Sequence, residues 1–439
     1  MRTVSKTVIG VDFGTQSARA VLVNAENGEI IYSCRKEYPY NSTPVPAIDC
    51  AENLPCATDY EMTLYELLRN VIPEEYRKTV AGICVDATSL TMVLLAEDGR
   101  ALSELDGWSE AAHARVKLWK YHRAQEKADE ALNLARNLQE PFLGRTGGSI
   151  SCEWMLPKLL EVRDEAPEIY SKIDLAMDLC EFLTFRLTGQ LVRSIGSLSY
   201  KCLWAEDLSF PERTFLNGLR AGFYEEYCHF LRGDVRKPGE CAGMLRSELT
   251  KRWGLPEQIP VATGMLDGHT SLATMGAFEP GDAALIVGTS NVCTVQDRKL
   301  QELKDVCGVA QDGMVTGSCG IDTGQSSTGN MLGWFVEHMA GWQIHREAEE
   351  RKISPHQVLA ERIQKPWENK VIAVDWWSGS RNAPCDLTLR GSMSGLEMDT
   401  KTEDIYLALL QAIACGTGTI LESLSGQGVE IGRVLATGG

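Results

Sequence analysis

Three short segments carry residue types suited to phosphate chemistry. The first is Asp12-Phe13-Gly14-Thr15-Gln16-Ser17-Ala18-Arg19, where a carboxylate closes an apolar run and a small-residue turn follows. Gly14 lets backbone N–H groups approach phosphate oxygens, Thr15, Gln16 and Ser17 offer further donors, and Asp12 can hold Mg²⁺ through water. An ordinary hairpin turn with a capping Asp fits the segment equally well. The second segment, Gly288-Thr289-Ser290, repeats that turn. It is suited to clamping terminal phosphates from the opposite side, with a plain hairpin turn again the alternative. The pair favours a phosphate clamp, because a two-lobed ATPase requires two such turns. The third is Asp267 in Gly264-Met265-Leu266-Asp267-Gly268-His269, at a strand-to-helix junction. Phosphoryl transfer to an alcohol calls for a carboxylate that orients the hydroxyl and accepts its proton. By spacing alone a helix N-cap is the stronger reading of Asp267, since Asp is among the best caps.

Other phosphate motifs are absent. A dinucleotide site needs G-x-G-x-x-G opening a helix, whereas only Gly14 stands here and the chain continues as a strand. No G-x-x-x-x-G-K-[ST] occurs. Lys201 sits among apolar and aromatic residues, and Asp322 lies in the Gly-rich run Gly320–Ser327, read as a loop. Each of the two is weak alone. The tryptophans read as core, although Trp108 or Trp119 can stack on a sugar face.

These residues need elements to hold them. Val8–Phe13, Ala18–Val23 and Glu29–Tyr32 read as an antiparallel meander with an Asn27-Gly28 hairpin. Tyr60–Val71 reads as a helix, and Val80–Asp86 and Met92–Ala96 as strands. Helices are predicted over Ala111–Gln139, Trp154–Ala166 and Cys180–Leu187, the last stopped by Thr188-Gly189. A strand at Val261–Gly264 leads through Asp267 into a helix to Met275. Phe278-Glu279-Pro280-Gly281 is the candidate boundary, giving domains 1–279 and 280–439. Beyond it, Ala283–Val287 and Asn291–Val295 repeat the opening strand, Gly-Thr turn, strand. Two copies about 275 residues apart suggest a duplicated domain rather than a solenoid. The last helix is predicted over Thr402–Leu424, with a strand at Val434–Ala436. Tyr40–Cys56 reads as a loop.

The chain has 439 residues, 44% hydrophobic and 23% charged, enough apolar content for two cores. No stretch approaches the roughly 18 to 20 continuous apolar residues of a membrane span. The polar opening Met1–Lys6 is unlike a signal peptide, so the cytoplasm is the expected compartment. A net charge of −17 argues against a nucleic-acid partner. It leaves room for ATP, which backbone N–H groups and a few local cations can hold. The 14 cysteines are scattered, with only Cys50 and Cys56 close together. They read mostly as small buried residues in a reducing compartment.

Longer segments bring a resemblance. Val11–Ser17 resembles the first phosphate motif of the FGGY carbohydrate kinases. Val116–Gln125, Gly147–Met155, Tyr200–Trp204 and Ala373–Arg381 resemble the ribulokinase branch of that family, in order along nearly the whole chain. The resemblance implies an α/β fold of two ribonuclease-H-like lobes, as in actin-like ATPases, with a central cleft. It casts Asp267 as the catalytic base, Lys201 as a sugar-binding cation and Asp12 as a metal-side carboxylate. Gly14, Thr15, Gln16 and Ser17, with Gly288, Thr289 and Ser290, become phosphate contacts, and Gln325 comes near substrate or nucleotide.

Two substitutions stand out against the family pattern. Asp322 stands where ribulokinases usually carry Glu, and Ser89 where Ala is common. Both bear on the sugar pocket, so they bear on whether L-ribulose is the substrate. Gly438-Gly439 would begin the adenosine-binding motif, so the second lobe is expected to be truncated. The expectation is thus an ATP- and Mg²⁺-dependent kinase of a ketopentose such as L-ribulose, acting on a small-molecule sugar, with no nucleic-acid or membrane partner and with a homodimer left open. The alternatives are a non-catalytic sugar- or nucleotide-binding member of the fold, a kinase for another ketose or polyol, and an actin- or Hsp70-like ATPase.

Overall fold

The computed structural model describes residues 5–38, 54–365, 368–381, 386 and 388–438. Most of the expected Tyr40–Cys56 loop, along with Cys50 and Gly439, lies outside the described residues. The chain divides into two compact units. The first comprises 1–143, 150–270 and 310–317, and the second comprises 144–149, 271–309 and 318–439.

In the first unit β1 (Thr7–Phe13), β2 (Ser17–Asn24) and β3 (Ile30–Glu37) form the expected meander. Thr7, Ile9, Val11 and Phe13 are buried, and Val8, Gly10 and Asp12 between them are partly exposed. That is the period of two that sends alternate side chains to opposite faces. After helix α1 (Ala57–Asn70), β4 (Val80–Ala87) joins β1 in parallel, giving the order β3-β2-β1-β4. Pro260–Ala262 and Met265–Leu266 both pair with β4. A second layer contains β5 (Met92–Leu95), α2 (Gln125–Leu138), α3 (Met155–Glu165) and β6 (Leu175–Asp178). The Leu179–Thr188 helix ends where the sequence predicts, with Gly189 at φ +71°. That left-handed position suits a residue without a Cβ.

The second unit repeats the plan. Cys319–Gln325, Asn291–Asp297, Asp282–Val287 and Arg433–Gly438 are neighbours in that order. The first two contacts are antiparallel and the last is parallel. This matches β3-β2-β1-β4 strand for strand, as a duplication requires.

Two expectations need correction. Ala111–Gln139 is not one helix, because only Gln125–Leu138 is α-helical. Lys117 instead exchanges backbone hydrogen bonds with Met92, at 2.9 and 3.1 Å, so tertiary pairing overrides local helix propensity. Asp322 is not in a loop, because Cys319–Gln325 is a strand buried along its whole length. Its glycines mark close backbone approach rather than a turn: a Cβ on Gly324 would lie 2.0 Å from the Asn291 carbonyl oxygen. The last helix forms as expected, over Thr402–Gly426, and is long and apolar enough to cross a membrane by length and composition alone, with a mean hydropathy of 1.4 over 18 residues. It is a core helix, however: Tyr406 and Leu409 enter one hydrophobic cluster of the second unit, and Ile420 and Leu424 another.

All described cysteines are free. Cys152, Cys180, Cys202, Cys293 and Cys319 are buried, whereas Cys241 and Cys415 are exposed, so burial is less general among them than expected.

Candidate active site

Strand register assembles the acidic part of the first unit. Asp12 on β1 stands opposite Asp86 on β4, and Asp86 stands opposite Met265. Asp267 follows two residues beyond Met265, in the same alternation phase, at the first position of the Asp267–Met275 helix. Three carboxyls from three adjacent strand ends thus converge.

Burial pushes the Asp267 carboxyl up to about 6, with the Asp12 charge adding to the rise. Three groups oppose this: the N–H of Gly268, 2.7 Å from Asp267 Oδ1, the backbone N–H of Ser89, and the Lys201 ammonium. Three sequence-predicted residues, Asp12, Ser89 and Lys201, therefore act on the carboxyl of a fourth, Asp267. Lys201 ends the short Ile195–Lys201 helix and is nearly buried. Asp267 also accepts from the next N–H in the chain, that of Gly268, and it is the first helical residue rather than the cap that precedes it.

Sequence reasoning missed Asp86. Burial raises its carboxyl well above the usual range, and Asp12 and Asp267 raise it further. It shares a hydrogen bond with Asp12 and another with Thr270. Like charges this close cannot both ionise easily, so Asp86 is the member that keeps its proton. Its place at the end of the expected Val80–Asp86 strand was the available signal.

The first Gly-Thr turn is closed by Gly14 N–H donating to Ser17 O at 3.1 Å. The Tyr38 hydroxyl braces the Gly14 carbonyl at 2.8 Å. Thr15 Oγ1 accepts from Trp119 Nε1 at 3.1 Å. This polar contact differs from the sugar-stacking role considered for Trp119. Gln16 is exposed, whereas Ser17 is buried and its hydroxyl accepts from Arg35 Nε at 3.1 Å. Ser17 therefore braces β2 against β3.

In the second unit Gly288 and Thr289 are exposed at the turn. Their carbonyls accept from the amides of Thr328, Gly329 and Asn330, at 2.9 to 3.2 Å. Those amides start the Gly329–Met339 helix, so its first donors are spent on bracing the turn. Gly438 lies level with Val287 in the parallel pair. A Cβ there would meet the Val287 carbonyl oxygen at 2.1 Å, which ties Gly438 to the turn and restricts the position to glycine. Asp322 is buried, opposite Thr294.

Gln325 is buried too, and its amide is fully engaged. Nε2 donates to Asp375 Oδ2 at 2.6 Å and to Ile413 O at 3.0 Å, while Oε1 accepts from Asn291 and Thr417 at 2.7 and 2.8 Å. A planar amide has two donors and one such acceptor, so Gln325 organises its surroundings. Among the described residues no group of three or more His, Cys, Asp or Glu side chains forms a metal cluster.

The N-terminal domain of the FGGY family of carbohydrate kinases matches residues 7–274, and the C-terminal domain of that family matches residues 283–439. A ribulokinase from Halalkalibacterium halodurans is 34% identical over 445 residues, covering 99% of this chain and 79% of its own length. A ribulokinase from Mycolicibacterium smegmatis is 35% identical, with coverages of 99% and 79%. In fold, the chain is similar to a xylulose kinase from Rhodospirillum rubrum, with TM-score 0.76, 20% identity, and coverages of 99% and 82%. It is likewise similar to a glycerol kinase from Plasmodium falciparum, with TM-score 0.77, 16% identity, and coverages of 99% and 82%. With both domains matched and the strand plan duplicated, this chain belongs to the FGGY family of carbohydrate kinases.

Proposed function

We propose that the protein transfers the γ-phosphoryl group of ATP to a hydroxyl of a ketopentose such as L-ribulose, with Asp267 as the base. The observation carrying this reading is the Asp267 carboxyl, raised to about 6 and acted on at once by Asp12, the Ser89 N–H and Lys201. Such a group is mostly ionised at neutral pH yet basic enough to accept a hydroxyl proton as the oxygen attacks. The similarity to the two ribulokinases supports the ketopentose class.

Each further residue has a candidate role. Lys201, Ser89 and Asp322 are candidate sugar contacts, and Lys201 also favours the ionised form of the base. Gly14, Thr15 and Gln16 on one turn, and Gly288, Thr289, Ser290 and Gly438 around the other, are candidate nucleotide contacts. Ser17 and Gln325 act behind these residues, through Arg35 and through the Asp375–Thr417 network. Asp12 is the residue that would hold Mg²⁺. It is partly exposed, and Arg19 lies 3.9 Å from its Oδ2. Such exposure suits a cation which keeps several waters and binds phosphate oxygens. When bound, the cation would neutralise charge developing on the phosphates. A cytoplasmic setting, where ATP and free sugars meet, goes with this reading.

The test is ADP formation by the full chain across a panel of ketopentoses and ketohexoses. Sugar-dependent turnover is expected, with Asp267→Asn lowering kcat by roughly 10²- to 10⁴-fold. Sugar-independent ADP formation, or an Asp267→Asn variant within tenfold of the parent, would overturn it.

A further inference from the structure

Two wholly buried charged residues grip the peptide that follows Ser89. Lys158, on α3, has no exposure, and its Nζ donates to Leu90 O at 2.6 Å, Leu118 O at 3.0 Å and Lys117 O at 3.3 Å. Asp178, closing β6, also has no exposure, and its Oδ2 accepts the Leu90 N–H at 2.9 Å. The N–H and the C=O of one residue are therefore each held by a charged side chain.

Leu90 itself is in an unfavourable conformation. Its φ is +65°, in the left-handed region that costs a leucine on the order of 1–2 kcal/mol. Such strain persists only where the surroundings over-determine it. Here the flanking residues lead to the site. Ser89 precedes Leu90, and its N–H donates to Asp267. Trp119 follows Leu118, and its Nε1 donates to Thr15 in the first turn. One ammonium thus fastens both segments from behind.

We propose that Lys158 and Asp178 form a buried clamp on Leu90 that positions the Ser89 N–H against Asp267 and Trp119 against Thr15. Both are positioning residues, and their catalytic consequence rests on the kinase reading. The choice of lysine follows from counting donors: an ammonium has three N–H groups, and three carbonyl oxygens meet it. Burial acts against the charge on both residues, pulling Lys158 down to about 7 and pushing Asp178 up to about 7. Apolar residues of similar volume are often as stable in such places, so stability alone does not account for this pair.

Asp178 is also the N-cap of the Leu179–Thr188 helix, so a test must separate cap from clamp. Asp178→Asn keeps both a cap and an acceptor for the Leu90 N–H. Asp178→Ser keeps a good cap but loses the reach. Lys158→Met removes the three donors. Two readouts on the full chain decide: kcat with sugar and ATP, and amide hydrogen exchange over residues 88–91 and 117–119.

The expected results are at least tenfold faster exchange and at least tenfold lower kcat in Lys158→Met and in Asp178→Ser. Asp178→Asn should retain at least tenfold more kcat than Asp178→Ser. The double variant should fall no more than threefold below the weaker single variant, because both act through Leu90. Unchanged exchange at 88–91 in both single variants overturns the clamp whatever the activity. So does a kcat that Asp178→Asn and Asp178→Ser share, and this pair decides if Lys158→Met does not fold. A parent enzyme without sugar-dependent turnover sinks the kinase reading instead, and exchange then judges the clamp alone.

Discussion

Asp12 and Asp86 face each other across two neighbouring parallel strands, and burial drives the Asp86 carboxyl far above the usual range. A carboxyl whose folded-state pKa exceeds its unfolded one gives stability that is full below the unfolded value and is lost as pH rises through the folded one. Asp86→Asn should therefore flatten the loss of stability between about pH 4 and pH 8, a slope of at most about 1.4 kcal/mol per pH unit. Urea denaturation of parent and variant at several pH values measures this. Parallel profiles would count against a shared proton.

On the proposed reading Asp267 should set the acid limb of activity. Burial is the main reason its carboxyl rises to about 6, and as a base it must be ionised. The value of kcat/KM should drop tenfold per pH unit below about 6. Lys201→Met removes a cation that holds the group down, so it should move the limb to higher pH as well as raise the sugar KM. A limb unmoved by Lys201→Met would show that the ammonium does not act on Asp267.

The bond from Trp119 Nε1 to Thr15 Oγ1 predicts a coupled pair. Trp119→Phe keeps the aromatic bulk and deletes the donor, and Thr15→Val deletes the acceptor. Each should lower kcat/KM for ATP by roughly fivefold, about 1 kcal/mol. The double variant should resemble the singles, and multiplicative losses in steady-state kinetics would argue that the contact is incidental.

Gln325 makes four buried hydrogen bonds, and Gly416 leaves room for them. A Cβ on Gly416 would lie 2.4 Å from Gln325 Nε2 and 2.5 Å from Asp375 Oδ2. Gln325→Leu deletes all four bonds and leaves the Asp375 Oδ2 without its Gln325 donor, while Asn291 and Thr417 still bond each other at 3.1 Å. It should reduce stability by about 1–3 kcal/mol. Gly416→Ala should destabilise as well, by displacing the same amide. A Gln325→Leu variant as stable as the parent in urea would mean the network contributes little.

What the sequence made legible was local. The apolar alternation of Thr7–Phe13, the Asn27-Gly28 turn and the Thr188-Gly189 stop all follow from neighbouring residues. Asp267 at its strand-to-helix junction was legible in the same way. Asp86 was not, because its role comes from register with Asp12 across a gap in sequence. The Cys319–Gln325 strand was misread because its glycines signal loops, whereas in the sheet they admit a carbonyl that no side chain would tolerate. Lys117 was misread as helical because its partner Met92 is fixed only by the tertiary fold. Lys158 and Asp178 show no signal, since a charged residue inside a helix or strand looks solvent-facing until the core closes over it.

The two sheets share a strand plan but not an electrostatic one. When the Gly-Thr turns are aligned, Asp12 and Asp86 of the first copy correspond to Ile286 and Thr437 of the second, which also stand opposite each other. The facing carboxyl pair is therefore confined to one copy. In the other copy a polyanion approaching the turn meets no carboxylate at these two positions to repel it. A repeated framework thus carries a facing pair of carboxyls in one half and an uncharged pair in the other.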